Sequence, residues 1–195
     1  MAGIRRSIGY NLARLVQPAG RETRASFWPY AIAIVLARIA AAILLVIPLI
    51  FDMMDRVMAY VRAHPEGIPK AVPGQPPVLP AELMPHLATL VVPSLIVSAV
   101  TILLLFSAVV RRLHDRGRTG WWAALPLLFS AIGMAMAPYL LRHVADFVSN
   151  SRLSLLSSLN GAAYWIALIV LIVMLVGEGE KGPNRFGPEP PASPD

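Results

Sequence analysis

Four long apolar runs, at about 27–51, 83–110, 121–141 and 155–176, alternate with polar segments of very different character. Each run reaches or exceeds the ~20 residues that a helix rising ~1.5 Å per residue needs to cross a ~30 Å hydrocarbon core. The pattern predicts an all-α membrane protein with four transmembrane helices. Ahead of the first run, Ile4, Ile8, Leu12, Leu15 and Val16 recur at helical spacing, with Arg5, Arg6 and Arg14 outside the stripe. This predicts a short amphipathic helix over 4–16 lying on the bilayer surface, weak unless lipid supports it because of Gly3 and Gly9. The organisation is then an interfacial segment over 1–26, a transmembrane domain over 27–176 and a polar tail over 177–195.

The connections differ from one another. Residues 52–82 carry Pro65, Pro69, Pro73, Pro76, Pro77 and Pro80, which predicts an extended, polyproline-like loop rather than a folded domain. Around 142–154, Leu141, Val144, Phe147 and Val148 recur at helical spacing among Arg142, Asp146 and Arg152, predicting a helix on the outer interface. Between the second and third runs lies Arg111-Arg112-Leu113-His114-Asp115-Arg116-Gly117-Arg118-Thr119-Gly120-Trp121-Trp122, strongly basic and ending in paired tryptophans. Such an insert reads as a cytoplasmic loop feeding an aromatic anchor at the interface. The tail turns polar and rich in glycine and proline, and its last residues are expected to be disordered.

Composition agrees with the hydropathy pattern: 56% hydrophobic residues against 14% charged, with a mean hydropathy of +0.63. A pI near 10.3 raises the question of nucleic acid, which the positions of the charges answer. Eleven Lys and Arg fall in the N-terminal segment, the 111–118 insert and the tail; five fall in the two other connections. That asymmetry is a topology signal, placing both termini in the cytoplasm and leaving no call for nucleic acid as a partner. The absence of cysteine excludes disulfides, thiolate metal sites and cysteine nucleophiles. Arg5-Arg6-Ser7 superficially suggests a twin-arginine signal, but Asn11 and Arg14 break the following stretch, and the N-terminus is read as retained. Gly20-Arg21…Phe27-Trp28 and Gly117-Arg118…Trp121-Trp122 form a weak internal pair; the positive-inside rule and the aromatic belt generate such a pair without duplication.

Three segments together resemble domain of unknown function 805, a family of small bacterial inner-membrane proteins: 20–28 (GRETRASFW), 111–122 (RRLHDRGRTGWW) and 182–190 (GPNRFGPEP). Their order and spacing relative to the apolar runs carry the resemblance, which extends from Gly20 to Pro190. The chain departs from the pattern in its proline-rich loop and in Pro18-Ala19, where a more aromatic segment is expected. The resemblance implies a multi-pass inner-membrane protein and no known reaction.

All three motifs fall on the cytoplasmic side of the topology above. Arg21 and Arg24, three apart, are expected on one helix face; Gly117 and Gly120 permit a tight turn; glycines flank Asn184-Arg185. Gathered together, Arg21, Arg24, Arg111, Arg112, Arg116 and Arg118 with Gly117 and the Asn184-Arg185 stretch would make an anion pocket at headgroup level, suited to a phosphate-bearing ligand such as an anionic phospholipid. The competing reading is a structural clamp, in which Asp115 and Glu22 pair with these arginines and lock loop and tail together. Adjacency argues against His114-Asp115 as a catalytic dyad, because neighbouring helix residues rarely face each other. His64, His86 and His143 lack metal-ligand spacing, so neither metal nor cofactor is expected.

Arg38 is the one charge inside a span, and an ionisable residue there points to function. Ser98 and Thr101 on the antiparallel second span lie at its depth. Phe27-Trp28, Trp121-Trp122 and Tyr164-Trp165 are expected as belt anchors near span ends, and Pro48, Pro93, Pro126 and Pro138 as sites of kinks. The expected role is non-enzymatic: a binding or scaffold protein whose basic face engages anionic lipid or a protein partner, or which forms a homo-oligomer. The alternative is a small transporter or channel subunit using Arg38.

Overall fold

The computed structural model describes residues 2–65, 83, 87–142 and 151–191. The protein is all-helical, with no strand among the described residues. Helix α1 spans Ala2–Leu12, α2 Arg24–Ala63, α3 Val91–Asp115, α4 Ala124–Arg142 and α5 Ser151–Val176; short 3₁₀ turns at Leu87–Leu90 and Gly120–Ala123 lead into α3 and α4. Helices α2, α3, α5 and the Gly120–Leu140 stretch are each long and apolar enough to cross a membrane.

Helix α2 begins earlier than the apolar run because the Thr23 hydroxyl caps it, accepting from Ser26 N at 3.3 Å. It also ends later. The expected extended loop after Phe51 is instead helical as far as Ala63, since no proline follows Pro48 until Pro65 and the residue before a proline is the first to resist helical geometry. Asp52 and Arg56, one turn apart at 2.8 Å, support this extension from its surface. At ~1.5 Å per residue α2 is roughly 60 Å long, about twice the ~30 Å thickness of a hydrocarbon core. The remaining proline-rich stretch and the helix expected around 142–154 fall largely outside the described residues; Ser151–Ser154 belong to α5.

Helix α2 packs on α3 and α4 on α5, with α1 laid against α2. The buried apolar cluster, Phe27, Tyr30, Ala31, Ala108, Leu113, Ala123, Leu171 and Leu175, gathers at the end of the bundle where the three motifs lie. Tyr30 donates across it to Leu104 O at 2.7 Å. Further along, Ile43, Leu44, Ile50 and Phe51 of α2 and Leu155, Leu156 and Leu159 of α5 are exposed, as lipid-facing residues should be. Asn160 Nδ2 donating to Phe129 O at 3.2 Å ties α5 to α4 there.

Two expectations about residue placement fail. Pro93 and Pro126 are third in α3 and α4, where a backbone N–H has no helical partner to lose; among the described residues the prolines in helix interiors are Pro29, Pro48 and Pro138. Tyr164 and Trp165 are not at a span end: α5 runs from Ser151 to Val176, which puts them near its middle. Trp121, 80% exposed, stands at the start of the third span.

Candidate functional site

The last turns of α3 carry Arg111, Arg112 and Asp115. Consecutive residues on a helix point about 100° apart. Arg111 and Arg112 therefore reach in different directions from one place, and both are buried, at 1% and 0% exposure.

Arg111 turns toward α1. Its guanidinium donates to Glu22 Oε2 at 3.0 Å, to Asn11 Oδ1 at 2.6 Å, and to the carbonyls of Arg14 and Gln17 at 3.0 and 2.7 Å. Those carbonyls belong to the turns that follow α1, so a cation sits where the chain leaves the helix with acceptors to spare. Glu22 in turn accepts from Asn11 Nδ2 at 2.8 Å and Ser26 Oγ at 3.1 Å. Burial pushes the Glu22 carboxyl above its ordinary value, outweighing Arg111 and the hydrogen bonds from Asn11, Ser26 and Arg111.

Arg112 turns toward α5. It donates to Leu175 O at 3.0 Å and to Gly177 O, the free carbonyls at the negative end of that helix, as well as to Glu22 O at 3.2 Å and to the Asp115 carboxylate. Asp115 also accepts from Arg21 Nε at 3.1 Å. Arg21 continues to Gly182 O at 2.6 Å and to Glu180 O. Thus three buried guanidiniums meet two buried carboxylates, and the surplus positive charge is spread over backbone carbonyls from the N-terminal segment, α5 and the tail.

The loop after α3 reverses by a Schellman closure: Arg118 N donates to Leu113 O at 2.9 Å and Gly117 N to His114 O at 3.0 Å, with Gly117 at φ +63°. Gly120 serves closeness instead of turning, since a Cβ there would lie 3.0 Å from Val110 Cγ1. The tail folds back on this loop. Asn184 and Gly187 exchange backbone hydrogen bonds of 3.0 Å, Asn184 Nδ2 donates to His114 O at 3.0 Å, and Arg185 donates to Gly117 O at 3.0 Å. Phe186 stacks on the His114 ring, centroids 3.9 Å apart.

The loop, the tail and the segment before α2 thus converge on one knot, and residues 15–188, which take in nearly all of the three motifs that form it, match the family described as protein of unknown function DUF805. The chain belongs to the DUF805 family. No curated protein and no solved structure matches it.

In this DUF805 protein the expected single pocket of arginines does not form. Arg21, Arg111 and Arg112 are consumed by the knot together with Asp115. Arg21 precedes the Thr23 cap and so shares no helix face with Arg24, which lies exposed 3.1 Å from Glu178. Outside the knot, Arg116, Arg118 and Arg185 edge a polar cavity of about 510 Å³ with Gly117, Thr119, Trp122, Glu178 and Glu180. Arg38, Ser98 and Thr101 meet round a second cavity within the bundle. No group of three His, Asp or Glu able to hold a metal occurs among the described residues.

Sequence reasoning missed Ser7 and Asn11, buried at 5% and 1%, because it looked at the apolar stripe of α1 rather than its polar face. Their spacing of four was the available signal. It also missed the acceptors at the end of α5, which are backbone atoms and leave no mark on residue identity.

Proposed function

We propose that this protein is a non-enzymatic accessory or scaffold component of the bacterial inner membrane, with both termini in the cytoplasm, whose basic cytoplasmic face takes the headgroup of an anionic phospholipid. The observation that carries the reading is the division of labour among the arginines. Arg21, Arg111 and Arg112 are matched by internal acceptors, whereas the guanidiniums of Arg116 and Arg118 form no hydrogen bond or ion pair among the described residues and edge the polar cavity with Arg185. Guanidiniums suit a phosphate, and Glu178 and Glu180 across the cavity suit the hydroxyls of a glycerol headgroup. Trp122 on the same rim suits the interfacial depth at which such headgroups sit. Helix α1 supports the reading: with Ser7 and Asn11 turned inward, Ile4 and Leu12 are left exposed beside Arg5 and Arg6, as on a helix resting on an anionic bilayer.

Native mass spectrometry tests this on the protein in nanodiscs of phosphatidylglycerol and phosphatidylcholine. A discrete phosphatidylglycerol adduct on the wild type that is lost in Arg116→Ala/Arg118→Ala supports the site; the same diffuse lipid on both removes it. Single cysteines at Lys181 and Met54, introduced into a chain that has none, test the orientation by their reactivity toward an impermeant maleimide from opposite sides of the membrane.

A further inference from the structure

Arg38 lies roughly 16 Å along α2 from Phe27 at ~1.5 Å per residue, midway along the apolar run and exposed on the flank of the bundle. It edges a cavity of about 430 Å³ that also takes in Ser98 and Thr101 of α3, Ser130 of α4 and Tyr164 of α5. The side chains of Arg38, Ser98, Ser130 and Tyr164 form no hydrogen bond among the described residues, while Thr101 spends its hydroxyl proton on Val97 O at 2.7 Å. The rest of the lining is apolar, and Val35, Ile39, Phe106 and Trp165 stand exposed on the outer surface of the bundle, so the cavity opens sideways toward lipid.

A guanidinium at this depth requires a countercharge or a wet surrounding. The sequence offers none: 23–51, 87–114, 116–145 and 147–177 contain no Asp or Glu. A second copy of the chain, having the same spans, would bring no acid to this depth either. What remains is one cation, three hydroxyl donors that can converge with it, no competing carboxylate, and an apolar wall continuous with the acyl region. We propose that this lateral cavity holds the oxyanion head of a long-chain amphiphile, a carboxylate or a monoester phosphate, inside the bilayer. The volume lies in the range of small-ligand pockets and fits a small head with the first part of a chain, not a bulky headgroup. The site is separate from the cytoplasmic rim in residues and in depth.

The test uses the full chain in phosphatidylcholine nanodiscs containing either oleic acid or phosphatidic acid, read by native mass spectrometry. One retained adduct per chain is expected, with whichever probe is retained naming the head. Arg38→Leu should lower its retention at least about tenfold, the worth of one charge-assisted contact. Arg116→Ala/Arg118→Ala should leave it unchanged, so loss of the cytoplasmic site and loss of this one are distinguishable. No discrete adduct of either probe on the wild type, or equal retention by Arg38→Leu, overturns the proposal. A second measurement needs no variant: diazirine-bearing forms of both probes, photolysed on the wild type, should label peptides containing Ser98–Leu105 and Tyr164–Leu171. Labelling spread evenly over the lipid-facing helices also overturns it.

Discussion

Replacing Asp115 by alanine removes the one carboxylate that serves two buried guanidiniums, leaving Arg21, Arg111 and Arg112 to share Glu22. Breaking a buried ion pair costs about 3–5 kcal/mol. Here the cost falls near the lower end, because Arg112 keeps the carbonyls of Leu175, Gly177 and Glu22, and Arg21 keeps those of Glu180 and Gly182. About 3 kcal/mol is a large share of the ~5–15 kcal/mol that holds a typical fold. By the scaling of domains of this size it lowers Tm by about 6–12 °C. Intrinsic fluorescence during heating in mild detergent measures it, since Trp28 and Trp122 pack against the cluster beside the knot. The decisive control is a double-mutant cycle with Arg21→Met. That substitution removes one of the stranded cations, so the double variant should be more stable than additivity requires by about 1–3 kcal/mol. A Tm drop for Asp115→Ala below about 2 °C, or strict additivity in the cycle, would refute the clamp.

Three further outcomes follow from the same geometry. Gly179→Ala would drive a Cβ into the Asp115 carboxylate, which Arg21 and Arg112 hold fixed, and should cost about 1–3 kcal/mol in the same thermal assay; Gly177→Ala meets only the movable Arg116 guanidinium and should stay within about 0.5 kcal/mol. Because burial raises the Glu22 pKa, the folded state holds that proton more tightly than the unfolded one, so this group's contribution is full below its ordinary pKa and is lost as pH rises through the raised value. The stability difference between wild type and Glu22→Gln should therefore shrink as pH rises upward from about 4.3, and a difference that grows instead would contradict the assignment. His114→Ala and Phe186→Ala each remove the same ring stack, so each should speed tryptic cleavage at Lys181 and Arg185 and their combination should add little; additive rates would mean that the stack does not hold the tail.

How much of this was legible beforehand depends on which atoms carry the information. Four spans were visible because side chains alone decide them, and the family match over 15–188 covers nearly all of the three motifs read in the sequence. The end of α2 was misplaced because prolines were counted over 52–82 as a block, although the first of them stands at Pro65. Tyr164-Trp165 was misassigned by residue type, an aromatic pair suggesting a belt before its position in the helix was weighed. The pairing of Glu22 and Asp115 with the motif arginines was open to inspection as a matter of charge. Which arginines they would take was not, since that depends on the 100° between Arg111 and Arg112 and on carbonyls at Leu175, Gly177 and Gly182.

The knot draws on Asn11, Arg21 and Glu22 from the start of the chain, on Arg111, Arg112 and Asp115 from its middle, and on Leu175, Gly177, Glu180 and Gly182 from near its end. During synthesis it cannot close until α5, the last of the four spans, has been inserted and the tail has left the ribosome. Until then Arg112 has no helix end to grip and Arg21 no tail, and both must stay hydrated at the membrane surface. A chain cut short before the end of α5 would leave Arg112 without the carbonyls of Leu175 and Gly177 and Arg21 without those of Glu180 and Gly182, exposing two arginines that the finished protein buries, a mark by which quality-control proteases could tell the two apart.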